Sequence, residues 1–209
     1  NLAYGTISPA DDIRFGTVGK CLHKGQVKIS PQGEILFKSP ANMKGYYLDD
    51  EKTREVLQDG FYHTGDKGEI CSDGYLKITG RIKDTFKTTK GEFITPTIIE
   101  ELLCENTNIE RVCVLGLGLP QPLALVVLSE QAQHKSKEMV TQELEATYQS
   151  VNKKLKSHEV LNGLLVVKEE WLPENGLMTP TLKVKRNEVA EYYQGLITQY
   201  AEVKAVVWE

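Results

Sequence analysis

The chain has 209 residues, with 25 Lys and Arg against 29 Asp and Glu, a net charge of −4. Apolar residues make up 40% of it and charged residues 26%, enough for one large core or two small ones. The slightly acidic balance excludes general nucleic-acid binding, which needs a concentrated positive field to release counterions. No apolar run approaches the roughly 20 residues that span a bilayer.

Asn1 to Gly5 carries neither an initiator Met nor a signal-peptide pattern, so the chain is expected to begin inside a longer sequence. Val27 and Ile29, then Ile35 and Phe37, flank Pro31-Gln32-Gly33, which predicts two short strands joined by a turn. Asp49 to Leu57 predicts a short charged helix. Gly68 to Cys71 and Tyr75 to Ile78 flank Ser72-Asp73-Gly74, a second hairpin. The region reads as a compact β-rich piece over residues 1–80.

The pattern changes near Gly80 to Asp84. Thr97 to Leu103 has helical spacing behind Pro96, which suits a helix start. Val112 to Leu115 and Leu123 to Leu128 are nearly unbroken apolar runs, expected as buried strands. Gly116 to Pro122 joins them too tightly for a helix and predicts a hairpin. A long helix is expected from about Ser136 to His158, with Val140, Leu144, Thr147, Tyr148, Val151 and Leu155 at heptad-like steps. Leu164 to Val167 follows as a strand. Asn187 to Tyr200 reads as a last helix capped by Asn187, with Val189, Tyr192, Tyr193 and Leu196 inward. The fold class is therefore α+β, with residues 85–209 forming a small sheet flanked by helices. The four cysteines, Cys21, Cys71, Cys104 and Cys113, form no C-x-x-C pair and have no His at metal spacing. They read as isolated reduced thiols. A cytoplasmic location is the expectation, with peripheral membrane contact left open and no metal ligands assigned.

Three stretches can carry chemistry. Asp66 follows Gly65 in Tyr62-His63-Thr64-Gly65-Asp66, where a sharp backbone turn presents a carboxylate able to accept two ribose hydroxyls. A turn Asp bonded to nearby backbone donors is the plainer alternative. Arg81, Lys83, Lys87 and Lys90 spread across the change in pattern and can hold phosphate oxygens, or form a solvated basic loop. Lys183, Lys185 and Arg186 follow a loop punctuated by Gly176 and Pro180, alternatively a basic turn that neutralises the acidic helix behind it.

Taken in order, these stretches resemble the adenylate-forming superfamily of acyl-CoA synthetases, luciferases and peptide-synthetase adenylation domains. Gly33-Glu34-Ile35 with Gly45-Tyr46-Tyr47 resembles one family segment, and Thr64-Gly65-Asp66 another. Gly80-Arg81-Ile82-Lys83-Asp84 through Lys90-Gly91 and Pro96 to Glu100 is similar to the family's hinge motif. Thr179-Pro180-Thr181-Leu182-Lys183-Val184-Lys185-Arg186 resembles the carboxyl-terminal lysine motif in its long-chain form, with Met178 where Leu is usual. Lys38 stands where many members carry Arg.

The resemblance implies the C-terminal part of an ATP-dependent long-chain fatty acid CoA ligase. Such an enzyme joins a carboxylate to AMP, then passes the acyl group to coenzyme A. It implies a distorted barrel-like subdomain over 1–80 as the tail of the AMP-binding domain, a hinge over 81–84, and a mobile domain over 85–209. Asp66 and Arg81 would bind nucleotide, Lys83 would serve as the hinge, and Lys183 would be catalytic. Lys87, Lys90, Gly91 and Glu92 would form the face for thioester formation, Gly91 leaving room for a pantetheine arm. Fatty acid, ATP and coenzyme A are the implied partners. Mg²⁺, the fatty-acid tunnel and the phosphate loop would belong to a part upstream of Asn1, without which the chain is expected to be inactive. A CoA-binding module, or a structural or interaction module derived from such an enzyme, remains the alternative.

Overall fold

The structure, a computed structural model, describes residues 5–22 and 25–209. The first four residues of the expected β-rich tail, and His23 and Lys24 within it, lie outside the described residues. The chain divides between Lys83 and Asp84 into two compact units.

In the first unit, β1 (Thr6–Ile7) pairs antiparallel with β2 (Lys20–Cys21). A larger sheet follows from β3 (Gln26–Ile29) and β4 (Glu34–Lys38), the expected hairpin around Pro31-Gln32-Gly33. Helix α1 (Asp50–Val56) starts where Asp49 accepts the Lys52 N–H at 2.8 Å, satisfying one of the unpaired donors of its first turn. Strands β5 (Leu57–Gln58), β6 (Phe61–Ile70) and β7 (Leu76–Arg81) complete the sheet. The long strand β6 pairs with β4, β5 and β7, so the Thr64-Gly65-Asp66 stretch lies in the middle of the most connected strand. The sheet is open among the described residues, with order β3-β4-β6-β5 and β7 also on β6, and does not close into the expected barrel-like form.

In the second unit, β8 (Phe86–Lys87) and β9 (Phe93–Ile94) form a small hairpin. Helix α2 (Pro96–Leu103) begins on Pro96, as expected. Strands β10 (Ile109–Leu115) and β11 (Leu123–Leu128) form the expected antiparallel hairpin. After α3 (Glu130–Gln133) and α4 (Lys137–Lys154), β12 (Gly163–Val166) joins β11 in parallel. Helices α5 (Arg186–Tyr192) and α6 (Gln194–Tyr200) precede β13 (Val206–Trp208), which lies parallel to β12. The sheet order is β10-β11-β12-β13.

The unbroken apolar runs have a direct cause. Val112, Val114, Ala124, Val126, Leu164 and Val166 face Ile99 and Leu103 of α2 and Val140, Leu144 and Val151 of α4. The intervening Cys113, Leu115, Leu123, Leu125, Val127 and Leu165 face Trp171, Leu177, Met178, Val189 and Tyr193. Both sheet faces are therefore dry, which removes the polar half of the usual strand alternation. The result is a mixed α/β chain with several small sheets.

Four expectations about the helices need correction. Helix α4 ends at Lys154 rather than His158, because Leu155 turns extended and the Asn152 side chain takes both the N–H and the C=O of Leu161. The last helix is two helices. Tyr193 breaks it at φ −97°, ψ 13°, with its ring buried and its hydroxyl accepting the Trp171 indole N–H at 3.3 Å. Asn187 is not a cap but the second residue of α5, whose N-cap is Lys185, and Tyr192 is exposed instead of inward.

Gly163 sits where β12 receives the chain ahead of β13. A Cβ there would lie 2.5 Å from the Val203 carbonyl oxygen and 2.8 Å from that of Ala205. Neither backbone atom can swing away, so Gly163→Ala should destabilise by about 1–3 kcal/mol. Urea denaturation of the two chains checks this, and an unchanged midpoint would contradict it.

Candidate functional site

The Thr64-Gly65-Asp66 turn is tied to β4 by two side chains. Glu34 accepts the Gly65 N–H at Oε1 (2.8 Å), while its Oε2 lies 2.9 Å from His63 Nδ1. Thr64 Oγ1 donates to the Ile35 carbonyl at 2.8 Å and accepts the Asp66 N–H at 3.0 Å. Gly65 has φ +74°, a conformation that L side chains rarely adopt, so a glycine is required at that bend. The β4–β6 register shifts between Glu34 and Leu36 at the same place. The turn is thus a bulge held from the neighbouring strand.

Its product is the placement of Asp66. Asp66 stands opposite Arg81 in the β6–β7 register, and Asp66 Oδ1 forms an ion pair with Arg81 Nε at 3.1 Å. The pair is partly exposed, so it orients two groups more than it stabilises the fold. A surface pocket of about 390 Å³ opens beside it, lined by Tyr46, Tyr62, His63, Gly65, Arg81 and Lys83 among others, but not by Asp66. Burial, and then a hydrogen bond with Tyr46, push the Tyr62 hydroxyl above its ordinary pKa, keeping it a neutral donor. Lys83 lies exposed in the turn after β7. Asp66, Arg81 and Lys83 are therefore brought to one region of the first unit.

Lys87, Lys90, Gly91 and Glu92 share the β8–β9 hairpin. Gly91 N–H donates to the Thr88 carbonyl at 2.9 Å and Thr88 N–H to the Glu92 carbonyl at 3.0 Å, closing a three-residue loop. Gly91 takes the left-handed position at φ +88°. A Cβ on it would meet only Lys87 Cε, at 3.7 Å, so the glycine answers to the turn and not to crowding within the chain. Lys87 Nζ lies 5.5 Å from the centroid of the exposed Phe93 ring.

Lys183 follows a loop of the same form. Leu182 N–H donates to the Thr179 carbonyl at 2.9 Å and Thr179 N–H to the Lys183 carbonyl at 2.8 Å. Leu182, not glycine, occupies the left-handed position at φ +58°. Thr179 Oγ1 accepts the Lys183 N–H at 3.1 Å, and the Lys183 side chain is exposed. Lys185 pairs with Glu188 at 3.2 Å across the first turn of α5.

Arg186 is half-buried, and the sequence did not place its partner. Its Nη1 and Nη2 donate to the two oxygens of Glu100 at 2.6 and 3.1 Å, and Nη1 also donates to the Val114 carbonyl at 2.7 Å. Glu100 Oε1 in turn accepts the Val114 N–H at 2.8 Å. Burial alone would lower the Arg186 pKa, but Glu100, Cys113 and Asp84 hold it above the ordinary value. Burial pushes the adjoining Cys113 thiol up to about 12, so this cysteine stays protonated. The one signal available in the sequence was Glu100 at helical spacing on the buried face of α2.

Among the described residues no group of three or more His, Cys, Asp or Glu side chains could hold a metal ion. No helix is long and apolar enough to cross a membrane.

The fold is that of the carboxyl-terminal part of adenylation domains. The adenylation domain of a carboxylate reductase from Mycobacterium chelonae superposes with a TM-score of 0.73 at 25% identity, over 89% of this chain and 32% of that one. The A-PCP didomain of a carboxylic acid reductase from Segniliparus rugosus, solved with AMP, shares the fold at a TM-score of 0.71 and 24% identity, over 88% of this chain and 28% of that one. Residues 83–204 match the AMP-binding enzyme C-terminal domain, and the chain belongs to that family. It is 30% identical over 204 residues to the long-chain-fatty-acid–CoA ligase FadD15 of Mycobacterium tuberculosis, covering 90% of this chain and 34% of that protein. Against long-chain-fatty-acid–CoA ligase 5 of Rattus norvegicus it is 36% identical over 193 residues, covering 83% of this chain and 28% of that protein. The chain thus spans about a third of the length of the curated relatives it matches.

Glu34 should matter to the turn it holds. Glu34→Ala leaves the Gly65 N–H and the His63 ring nitrogen without their acceptor and should cost about 1–3 kcal/mol. The check is thermal unfolding of the variant; a melting temperature equal to that of the parent chain would show the anchor to be dispensable.

Proposed function

We propose that this chain is the carboxyl-terminal third of an ATP-dependent acyl-CoA ligase that activates long-chain fatty acids. The observation that carries the reading is the Asp66–Arg81 pair, a carboxylate and a guanidinium set side by side at the bulge of β6, with Arg81 lining the adjoining pocket. A carboxylate so held accepts two vicinal hydroxyls, and an adjacent planar cation recognises phosphate oxygens. The long-chain assignment rests on relatives at about 30% identity that carry that name.

In this reading Asp66 receives the ribose hydroxyls of ATP, and Arg81 steadies both that carboxylate and the nucleotide. Lys183 brings a positive charge to the α-phosphate and the substrate carboxylate as negative charge gathers between them. Its backbone is fixed by the Thr179–Lys183 loop while its side chain stays free to reach. Lys83 serves as the pivot between the two half-reactions. Lys87, Lys90, Gly91 and Glu92 form the face offered to coenzyme A, with Lys87 and Phe93 supplying a cation and an aromatic surface to it. Mg²⁺ would neutralise phosphate charge from ligands outside this chain. A cytoplasmic setting fits the four cysteines that form no disulfide.

Lys183→Ala tests the assignment in the complete ligase that carries this chain. Removal of a cation that acts where charge develops should lower acyl-adenylate formation on the order of 10²–10³-fold. Thioester formation from supplied acyl-adenylate should stay within a few-fold of the parent enzyme. The side chain is exposed, so stability should change by no more than about 0.5 kcal/mol. Equal loss of both half-reactions would remove Lys183 from the adenylation step.

A further inference from the structure

We infer that the Glu100–Arg186 pair is a positioning device for Lys183, fixing the outgoing leg of the lysine hairpin to the free edge of β10. The inference rests on the reading of Lys183 as the working cation.

The hairpin from Leu177 to Lys185 has two unequal legs. The incoming leg is anchored by apolar burial, since Leu177 and Met178 are each only 2% exposed and pack among Trp171, Val189 and Tyr193. The outgoing leg carries Lys183, and only the half-buried Val184 gives it apolar contact with the same cluster. Lys183 is exposed, Val184 is half-buried, and the Lys185 side chain is 39% exposed. Its ties to the incoming leg are a few bonds near the turn: Thr179 N–H to the Lys183 carbonyl, Lys183 N–H to Thr179 Oγ1, and Lys185 N–H to the Leu177 carbonyl. The turn between the legs stores a cost as well, because Leu182 sits at φ +58°. Arg186 is the first side chain on this leg that reaches a rigid partner. It lies three residues past Lys183, and its fork joins Glu100 of α2 and the Val114 carbonyl of β10 at once.

The geometry of that junction is specific. Strand β10 is the last strand of its sheet, and β11 takes its other side. The Val114 N–H and C=O both turn to the open side, where Glu100 accepts the first and Arg186 donates to the second. Carboxylate, guanidinium and the N–H and C=O of a single residue close a ring of charge-assisted hydrogen bonds. Lysine could supply the charge but not two parallel N–H groups together with a third contact. Arg186 Nε is buried without a hydrogen-bond partner, so the side chain is oriented wholly by its two terminal nitrogens.

The test uses the 209-residue chain labelled with ¹⁵N, as parent, Glu100→Gln and Arg186→Lys. Glu100→Gln keeps an acceptor for the Val114 N–H but turns an amide NH₂ toward the second guanidinium nitrogen, so it should fold even where Arg186→Lys does not. Backbone order parameters describe the native state and do not follow global stability. Rigid backbone gives about 0.85 and flexible backbone below about 0.6. In the parent chain Thr179, Lys183 and Lys185 should be as ordered as Leu164 and Val166 of β12. In the variants the first three should fall below about 0.6 while Leu164 and Val166 hold their values. Unchanged order at the hairpin in a folded variant would overturn the inference, as would a parent hairpin already flexible. In the complete ligase, Glu100→Gln should lower the kcat of adenylation tenfold or more with KM for ATP within threefold. Should Lys183→Ala leave adenylation unaffected, the functional reading fails, and the order parameters alone decide the positioning claim.

Discussion

The second unit depends on how an open sheet edge is closed. Strand β10 ends its sheet, and an uncovered edge strand exposes a row of unpaired donors and acceptors. Glu100 and Arg186 cover that edge at Val114 with one acceptor and one donor, in the manner of a neighbouring strand reduced to two side chains. Burying an ion pair is costly unless its remaining hydrogen-bonding capacity is met. Here the N–H and C=O of Val114 meet part of it. Because Glu100 comes from the helix behind the β8–β9 hairpin and Arg186 from the start of α5, the same contact fixes segments 86 residues apart. The loops that carry the exposed Lys90 and Lys183 are both short extensions of elements near this contact.

Turn chemistry sets where those cations stand. The Thr88–Glu92 and Thr179–Lys183 loops close with the same pair of backbone bonds, and each begins with a threonine whose hydroxyl bonds across the loop. In the first unit the same economy appears at Gly65, where a bulge turns Asp66 toward Arg81 and Glu34 holds the bulge from the next strand. In all three places a backbone bend is closed by local hydrogen bonds, which leaves the functional side chain outward and its Cα fixed. Loops of this kind carry function on a rigid scaffold.

Much of this was legible in the residues. The hairpins at Pro31-Gln32-Gly33 and Ser72-Asp73-Gly74 followed from turn residues between alternating strands, and β10 and β11 from apolar runs too pure for a one-sided sheet. Asp66 and Arg81 were both singled out, but their pairing was not, because it arises from strand register shifted by a bulge between Lys67 and Gly68. β13 was missed since three residues, Val206 to Trp208, carry no periodicity and are strand only through β12 beside them. The break at Tyr193 was missed for a related reason. Val189, Tyr193 and Leu196 have helical spacing, and only the Trp171 partner shows that Tyr193 is held at a joint. Arg186 looked like one more cation in a basic stretch. An ion pair between residues so distant leaves no local pattern to read.

The contrast between Gly91 and Leu182 carries the argument one step further. Both stand at the left-handed position of a three-residue loop, where an L side chain costs on the order of 1–2 kcal/mol. Glycine removes that cost but widens the range of conformations open to the unfolded and partly opened loop, worth about 0.4–1 kcal/mol in the other direction. The second effect offsets about half of the first, and the two residues also differ in stiffness. At Gly91 the backbone beside Lys90 can change its dihedrals with little penalty. At Leu182 a bend of another shape would need a different residue, and the loop has only one low-energy form compatible with its hydrogen bonds. A strained, stiff turn persists only where its surroundings over-determine it. The buried Leu177 and Met178 on one side and the Arg186 fork on the other supply that determination, and the exposed Lys183 side chain then samples its own rotamers from a fixed point.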